Sequence, residues 1–209
     1  MNLLEIQASP MESSASREVS TALVQRLLER ERNSRISKNT FAGVKIRSVS
    51  TEDSVPHWTA AQVQASFTPP ESRSSQQTRL LDFSDELCNE LIQADTVVIA
   101  TPMWNFSIPS ALKAWIDHIV RVGVTFRYGA HGPEGLLSPN KELHLVVSSG
   151  GMYSQGPLTE LDHASSYLRH VFGFMGIQKI TLIRVENTAM DRHTAVQSAL
   201  SEIQQTSLK

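Results

Sequence analysis

At 209 residues, with 19 basic against 21 acidic side chains and a net charge of -2, the chain has no cationic surplus to draw a nucleic acid or an anionic membrane to it. A hydrophobic fraction of 40% excludes a disordered chain, and the length suits one core, so a single domain over residues 1–209 is expected. Cys88 is the only cysteine, which excludes an intrachain disulfide and a thiolate cluster; with no basic-then-apolar leader and no membrane-spanning run, the expectation is a cytoplasmic protein.

Leu3 to Ala8 is a short apolar segment ended by Ser9 and Pro10, a first strand and its turn. From Ser14 to Arg30, Val19, Leu23, Val24, Leu27 and Leu28 recur at helical spacing, with Arg17, Glu18 and Arg26 on the other side. Val44 to Val49 reads as a second strand, placed at a sheet edge because Lys45 and Arg47 interrupt it. Thr51 to Ser75 carries Pro56, Pro69, Pro70 and a run of serines, and reads as an elaborated loop with one short helical piece over Thr59 to Phe67. A long helix spans Gln76 to Ile92. Asp95 to Thr101 is a β-branched run bounded by polar residues and proline, the pattern of a strand covered on both faces.

Pro109 supplies a fixed φ for the first turn of the next helix, which runs through Trp115 and Ile119 until Gly123. Thr125 to Leu137 is expected to be a loop turning at Gly132 to Gly135. Leu143 to Val147 is a fourth strand, Leu158 to Met175 a helix, Ile180 to Val185 a fifth strand and Thr188 to Gln205 the last helix. Alternating strands and helices specify an α/β fold, a doubly wound five-stranded parallel sheet with helices on both faces, because parallel neighbours need right-handed helical crossovers.

Ligands of such sheets bind outside the carboxyl ends of the strands, where strand order reverses, so three loops matter most. Ser9 to Ser16 offers the hydroxyls of Ser9, Ser13, Ser14 and Ser16 at a helix start, which suits either a serine-capped turn or a phosphate held with little help from lysine or arginine. Thr101 to Pro109 carries Met103, Trp104, Asn105 and Phe106 between prolines, either a packed turn or a wall for a planar heteroaromatic ring. Ser148 and Ser149 precede Gly150 and Gly151, whose missing side chains serve a tight turn or a close backbone approach to a ligand. A phosphate at one loop and a flat ring between the other two describe FMN. No Walker loop or G-x-G-x-x-G stretch offers a seat for a triphosphate or a firmly held dinucleotide.

Competing constellations are thinner. His163 and His170 read as a solvated helix face rather than a metal site, no serine stands in a G-x-S-x-G setting beside Asp117 and His118, and Cys88 reads as a buried apolar residue.

Pro102 to Pro109, Leu112 and Lys113, Gly123 to Tyr128, Gly132 to Leu136, Gly150 with Gly151, and Phe172 to Ile177 together resemble the FMN-dependent NADH-azoreductases, within the flavodoxin-like NAD(P)H:quinone oxidoreductases. The resemblance implies that Ser9, Ser14, Ala15 and Ser16 hold the FMN phosphate, that Pro102, Met103, Trp104, Asn105 and Phe106 flank the isoalloxazine, and that Ser148, Ser149, Gly150 and Gly151 bond its pyrimidine edge. It further implies a homodimer, NADH or NADPH as donor, and quinone or azo acceptors reduced in a ping-pong cycle. Trp104 stands where the family usually has tyrosine and Ser149 where it often has arginine, which bears on substrate range and flavin potential. Phe126, Tyr128 and Tyr153 are candidates for lining the substrate space or for packing. Two other readings remain: an acyl-carrier-protein phosphodiesterase, which lacks a visible metal site or nucleophile, and a flavodoxin-like electron carrier, which the near-neutral charge disfavours.

Overall fold

The computed structural model describes residues 1–33, 43–50 and 54–205. In chain order, β1 (Asn2–Gln7) leads into α1 (Ala15–Asn33), and β2 (Gly43–Ser48) into α2 (Ala60–Phe67) and α3 (Ser75–Gln93). β3 (Thr96–Pro102) leads into α4 (Ser110–Ile119), followed by β4 (Phe126–Gly129) and β5 (Gly132–Gly135). β6 (Glu142–Ser148) leads into α5 (His163–Phe174), and β7 (Lys179–Val185) into α6 (Arg192–Gln205).

Five strands form one sheet in the order β2-β1-β3-β6-β7, and every pairing in it is parallel. The winding reverses between β1 and β3, which opens a crevice above their carboxyl ends. Register keeps those ends level: Gln7 pairs with Ala100, and Pro102 with Ser148.

Alternation along the strands builds two cores. Val97 and Ile99 face α3, α4 and α5, where they pack with Leu87, Leu112, Trp115 and Phe172, while Val98 faces α1 and α6 with Val19, Leu23 and Val196. Trp115 and Phe172 are fully buried with ring centroids 6.1 Å apart. Each contributes roughly 2–3 kcal/mol of burial, enough to fix how α4 and α5 sit beneath the crevice.

The structure departs from the sequence expectation in several places. Thr125 to Leu137 is no plain loop: β4 and β5 form an antiparallel hairpin, from Phe126 opposite Gly135 to Gly129 opposite Gly132. A Cβ at Gly135 would lie 2.3 Å from the backbone of Met175 and Gly176, so only glycine lets the hairpin seat there. Leu158 to Asp162 stays outside α5, with a single 3-10 turn at Thr159–Leu161, because Asp162 caps the helix by accepting from the Ala164 and Ser165 N–H groups. The last helix starts at Arg192 rather than Thr188: Asn187 takes a φ of 63° and Asp191 accepts from Thr194 N–H at 3.0 Å. α4 stops at Ile119 short of Gly123, with Pro109 just before its first turn. The elaborated loop contains α2, capped by Thr59, and a 3-10 turn at Pro70–Ser72; its residues 51–53 lie outside the described residues.

Candidate active site at the strand ends

The first loop is fastened to the sheet by Ala8 N–H, which donates to Ala100 O at 2.8 Å. Ser14 is the cap of α1, its Oγ accepting from Arg17 N–H at 3.3 Å and lying 3.5 Å from Ser16 Oγ. Ser9, Ala15 and Ser16 are buried behind it. Three hydroxyls thus gather at the positive end of a 19-residue helix. Arg17 joins them: its Nη2 donates to Ser9 O at 3.0 Å, and its Nε is buried with no hydrogen-bond partner. Polarity alone puts this arginine on the solvent side of the helix, and only the fold turns it back onto the loop. Trp58, Trp115 and Arg121 also bury an N–H without an acceptor, but Arg17 does so beside these serines, where an anion is the kind of group that would satisfy it.

The second loop meets the third through Met103 N–H, which donates to Ser148 O at 2.7 Å. Beyond it Trp104 and Ser107 exchange two backbone bonds, at 2.9 and 3.0 Å, around a two-residue turn. Asn105 and Phe106 have φ of 48° and 70° there. Asparagine tolerates this region, but for phenylalanine it costs roughly 1–2 kcal/mol. The turn holds Trp104 and Phe106 nearly half exposed, at 47% and 46%. Backbone held in a sparsely populated region beside exposed aromatics is the usual signature of a binding loop.

The third loop is braced from behind. Ser149 N–H donates to Val185 O at 3.0 Å, Thr188 gives Ser149 O both its N–H and its hydroxyl, and Ala189 N–H bonds Gly150 O at 3.2 Å. Added Cβ atoms at Gly150 and Gly151 would sit 3.4 Å from Ala189 and from the Tyr153 ring, ordinary contacts at the tight end. Tyr153 meets Phe106 edge to face at 6.4 Å between centroids.

The structure therefore gathers the candidate cofactor residues at neighbouring strand ends and brings Tyr153 to Phe106. It does not bring the other two aromatics to that pair. Phe126 is buried with its ring 4.7 Å from Phe174, and Tyr128 stands exposed on the hairpin, 5.6 Å from Phe126. His163 and His170 are both exposed on α5, and no group of three potential metal ligands occurs among the described residues. Cys88 is buried, and desolvation pushes its thiol up to about 11, so it is inert as a nucleophile at neutral pH.

A family model described as flavodoxin-like fold matches residues 1–206. The chain belongs to this family. It is 40% identical over 177 residues, 85% of its length and 82% of the relative's, to an FMN-dependent NADH:quinone oxidoreductase of Herminiimonas arsenicoxydans. A second protein of that description, from Rhizobium johnstonii, is 37% identical over 210 residues, covering 99% of this chain and 98% of the relative. Among solved structures, an FMN-dependent NADH-azoreductase from Bacillus anthracis in complex with FMN superposes with a TM-score of 0.82 at 26% identity, covering 98% of this chain and 97% of that one. The five-stranded parallel sheet and the α/β architecture are those expected from the sequence. No helix among the described residues is long and apolar enough to cross a membrane.

Proposed function

We propose that the chain is an FMN-dependent oxidoreductase that takes electrons from NADH and reduces quinones and azo compounds. The observation that carries the proposal is the phosphate loop, where the hydroxyls of Ser9, Ser14 and Ser16 and the orphaned Nε of Arg17 surround one helix end. These groups fit a phosphate monoester: hydroxyl donors, helix-end N–H groups and one guanidinium whose Nε has no hydrogen-bond partner. The oxidoreductase relatives and the family support the rest of the reading.

FMN, when bound, supplies the redox chemistry, accepting a hydride from the nicotinamide and giving two electrons to the acceptor. The protein's share is to bind, orient and exclude water. Ser9, Ser14, Ser16 and Arg17 anchor the phosphate. Pro102 to Phe106 would form one wall for the ring, with the half-exposed Trp104 and Phe106 as its aromatic surface. Ser148 to Gly151 offer backbone groups to its polar edge. Tyr153, held against Phe106, lines the space where nicotinamide and then acceptor would stack. Sharing one space between two substrates makes the cycle ping-pong, and the absence of a dinucleotide fingerprint in the sequence agrees with it.

The same reading makes the protein a cytoplasmic homodimer. The exposed Phe67, Val122 and Tyr128 are apolar surface that a second subunit would cover.

An anaerobic absorption spectrum tests the proposal. Protein loaded with one equivalent of FMN should bleach on adding NADH and recover its absorbance on adding a benzoquinone; a parallel run with NADPH ranks the donors. Protein that takes up no FMN, or whose bound FMN neither nucleotide bleaches, would defeat it.

A further inference from the structure

Arg184, near the end of β7, touches both segments that carry the aromatic pair. Its Nη2 donates to Asp162 Oδ2 at 2.7 Å and to Ser165 Oγ at 3.1 Å, and its Nη1 lies 3.6 Å from Glu186 Oε1. From Asp162 the chain of contacts runs to Phe106. Asp162 caps α5, and the N–H of the adjoining His163 donates to Phe106 O at 3.0 Å. From Glu186 it runs to Tyr153. Glu186 Oε1 accepts Tyr153 N–H at 2.7 Å, and its other oxygen accepts from the Ser154 hydroxyl. One guanidinium thus spans the two backbone anchors of rings whose centroids are 6.4 Å apart.

A planar fork suits this arrangement, bonded to Asp162 and within ion-pair distance of Glu186. A guanidinium presents donors to two carboxylates at once, whereas an ammonium is a point charge that serves one well. Asp162 also depends on it: burial alone would raise its carboxyl, but the Ser165 hydroxyl and N–H together with Arg184 hold it below the usual carboxylate range. Arg184 and Glu186 border a cleft of about 650 Å³ between β7 and α6 that also contains Met152, Ser154 and Asn187, so the bridge lies behind the third loop rather than at the phosphate.

We propose that Arg184 is a positioning residue that fixes the spacing of Phe106 and Tyr153, and so sets how tightly a planar acceptor is held against this aromatic pair. The inference rests on the flavin reading of the strand-end loops. Ordering the two rings before the acceptor arrives lowers the entropic cost of binding it, an effect equal in ground and transition states that therefore shows in KM and not in kcat.

The test uses the FMN-loaded protein as wild type, Arg184→Met, Arg184→Lys and Glu186→Gln. Each is assayed with NADH and an azo dye, and each is dialysed against anthracene-2-sulfonate, a planar probe that is not reduced. Arg184→Met should raise both the dye KM and the probe Kd at least fivefold, with kcat within twofold and FMN affinity within threefold. Arg184→Lys should fall between it and wild type, and Glu186→Gln should move the same two quantities by a smaller factor. If Arg184→Met does not fold, the other two variants decide. Lowered Tm with dye KM and probe Kd unchanged within twofold means that Arg184 is only structural and overturns the proposal. A wild type that binds no FMN fails differently, because it removes the flavin reading itself before any variant is compared.

Discussion

At the amino ends of the strands several polar groups are paired, although both ring nitrogens of the buried His144 lack a hydrogen-bond partner. Asp95 Oδ2 accepts Asn2 N–H at 2.7 Å, Arg30 holds Glu142 at 3.0 Å, and the buried Lys141 ammonium donates to the carbonyls of Ile92 and Ala94. At the carboxyl ends of the same strands Arg17 Nε lacks a partner, Asn105 and Phe106 have positive φ, and Trp104 and Phe106 lie open to solvent. One sheet carries both. The amino end closes the fold largely with ordinary charge pairing, whereas the carboxyl end keeps strained backbone and an unsatisfied arginine donor beside exposed aromatics, groups that a ligand can engage.

The largest effect is expected from a negative charge in the Ser9–Ser16 loop proposed to hold the phosphate. Ser16 is unsuitable because it is fully buried, so an aspartate there would endanger the fold. Ser14, partly exposed and already the cap of α1, accepts the change, since aspartate caps a helix as well as serine does. Two unit charges about 4 Å apart repel by about 4 kcal/mol at an effective dielectric near 20. Even after screening, Ser14→Asp should weaken FMN at least tenfold. Riboflavin, which lacks the phosphate, should bind within twofold of wild type. Equal losses for the two flavins in parallel titrations would mean that the loop is not the phosphate seat.

The amino end predicts the reverse pattern. Lys141→Met keeps most of the volume but removes the donor from two carbonyls, one of them buried beneath β3. The variant should lose about 2 kcal/mol of stability and roughly 4–8 °C of Tm, with FMN affinity unchanged within twofold. Burial holds this ammonium below its usual pKa, so part of what it contributes offsets its own desolvation, and the loss should not be larger. A variant that melts like wild type but releases FMN would reverse the assignment of the two ends.

How much of this was legible in the sequence differs between the same two kinds of region. β3 could be read because Val97, Val98, Ile99 and Ala100 are covered on both faces, and such a run has few other uses. The Ser9–Ser16 loop could be read because serines at a helix start have a small menu of roles. The β4–β5 hairpin was hidden: Gly129, Gly132, Pro133 and Gly135 carry no alternation, and what fixes Gly135 is the distant backbone of Met175 and Gly176. Thr188 to Asp191 reads as helical from the sequence but stays outside α6, because one local cap, Asp191, outweighs propensity. Arg17 and Arg184 were missed for a shared reason: a charged residue reads as solvent-facing until the fold brings a carbonyl or a carboxylate to it. The two-residue turn at Asn105 and Phe106 was equally hidden, since a phenylalanine at positive φ breaks the rule by which such turns are recognised.

The smallest effect expected is a matter of pH at the amino end. The His144 imidazole, 3.7 Å away, acts against the cost of burial and, with Arg30 at 3.0 Å, holds the Glu142 carboxyl down from 4.5 to about 2. A carboxyl whose pKa is depressed by folding stabilises the protein fully above its unfolded value, and that contribution is lost as the pH falls through the folded one. The window therefore runs from about pH 4.5 to about pH 2. The shift corresponds to about 3 kcal/mol unscreened, and partial exposure of the group reduces this to roughly 1 kcal/mol. Glu142→Gln keeps an acceptor for Arg30 but cannot ionise. Its urea midpoint should lie below that of wild type at pH 7, and the gap should close as the pH is lowered from 5 towards 3. Other depressed carboxyls, Glu90 and Asp162 among them, titrate in both proteins, so only the difference between the two curves reports Glu142. A gap that stays constant with pH would assign the loss to packing rather than charge. FMN affinity measured at neutral pH should be the same for both proteins, because the carboxyl end of the sheet, where the proposed phosphate loop lies, is untouched.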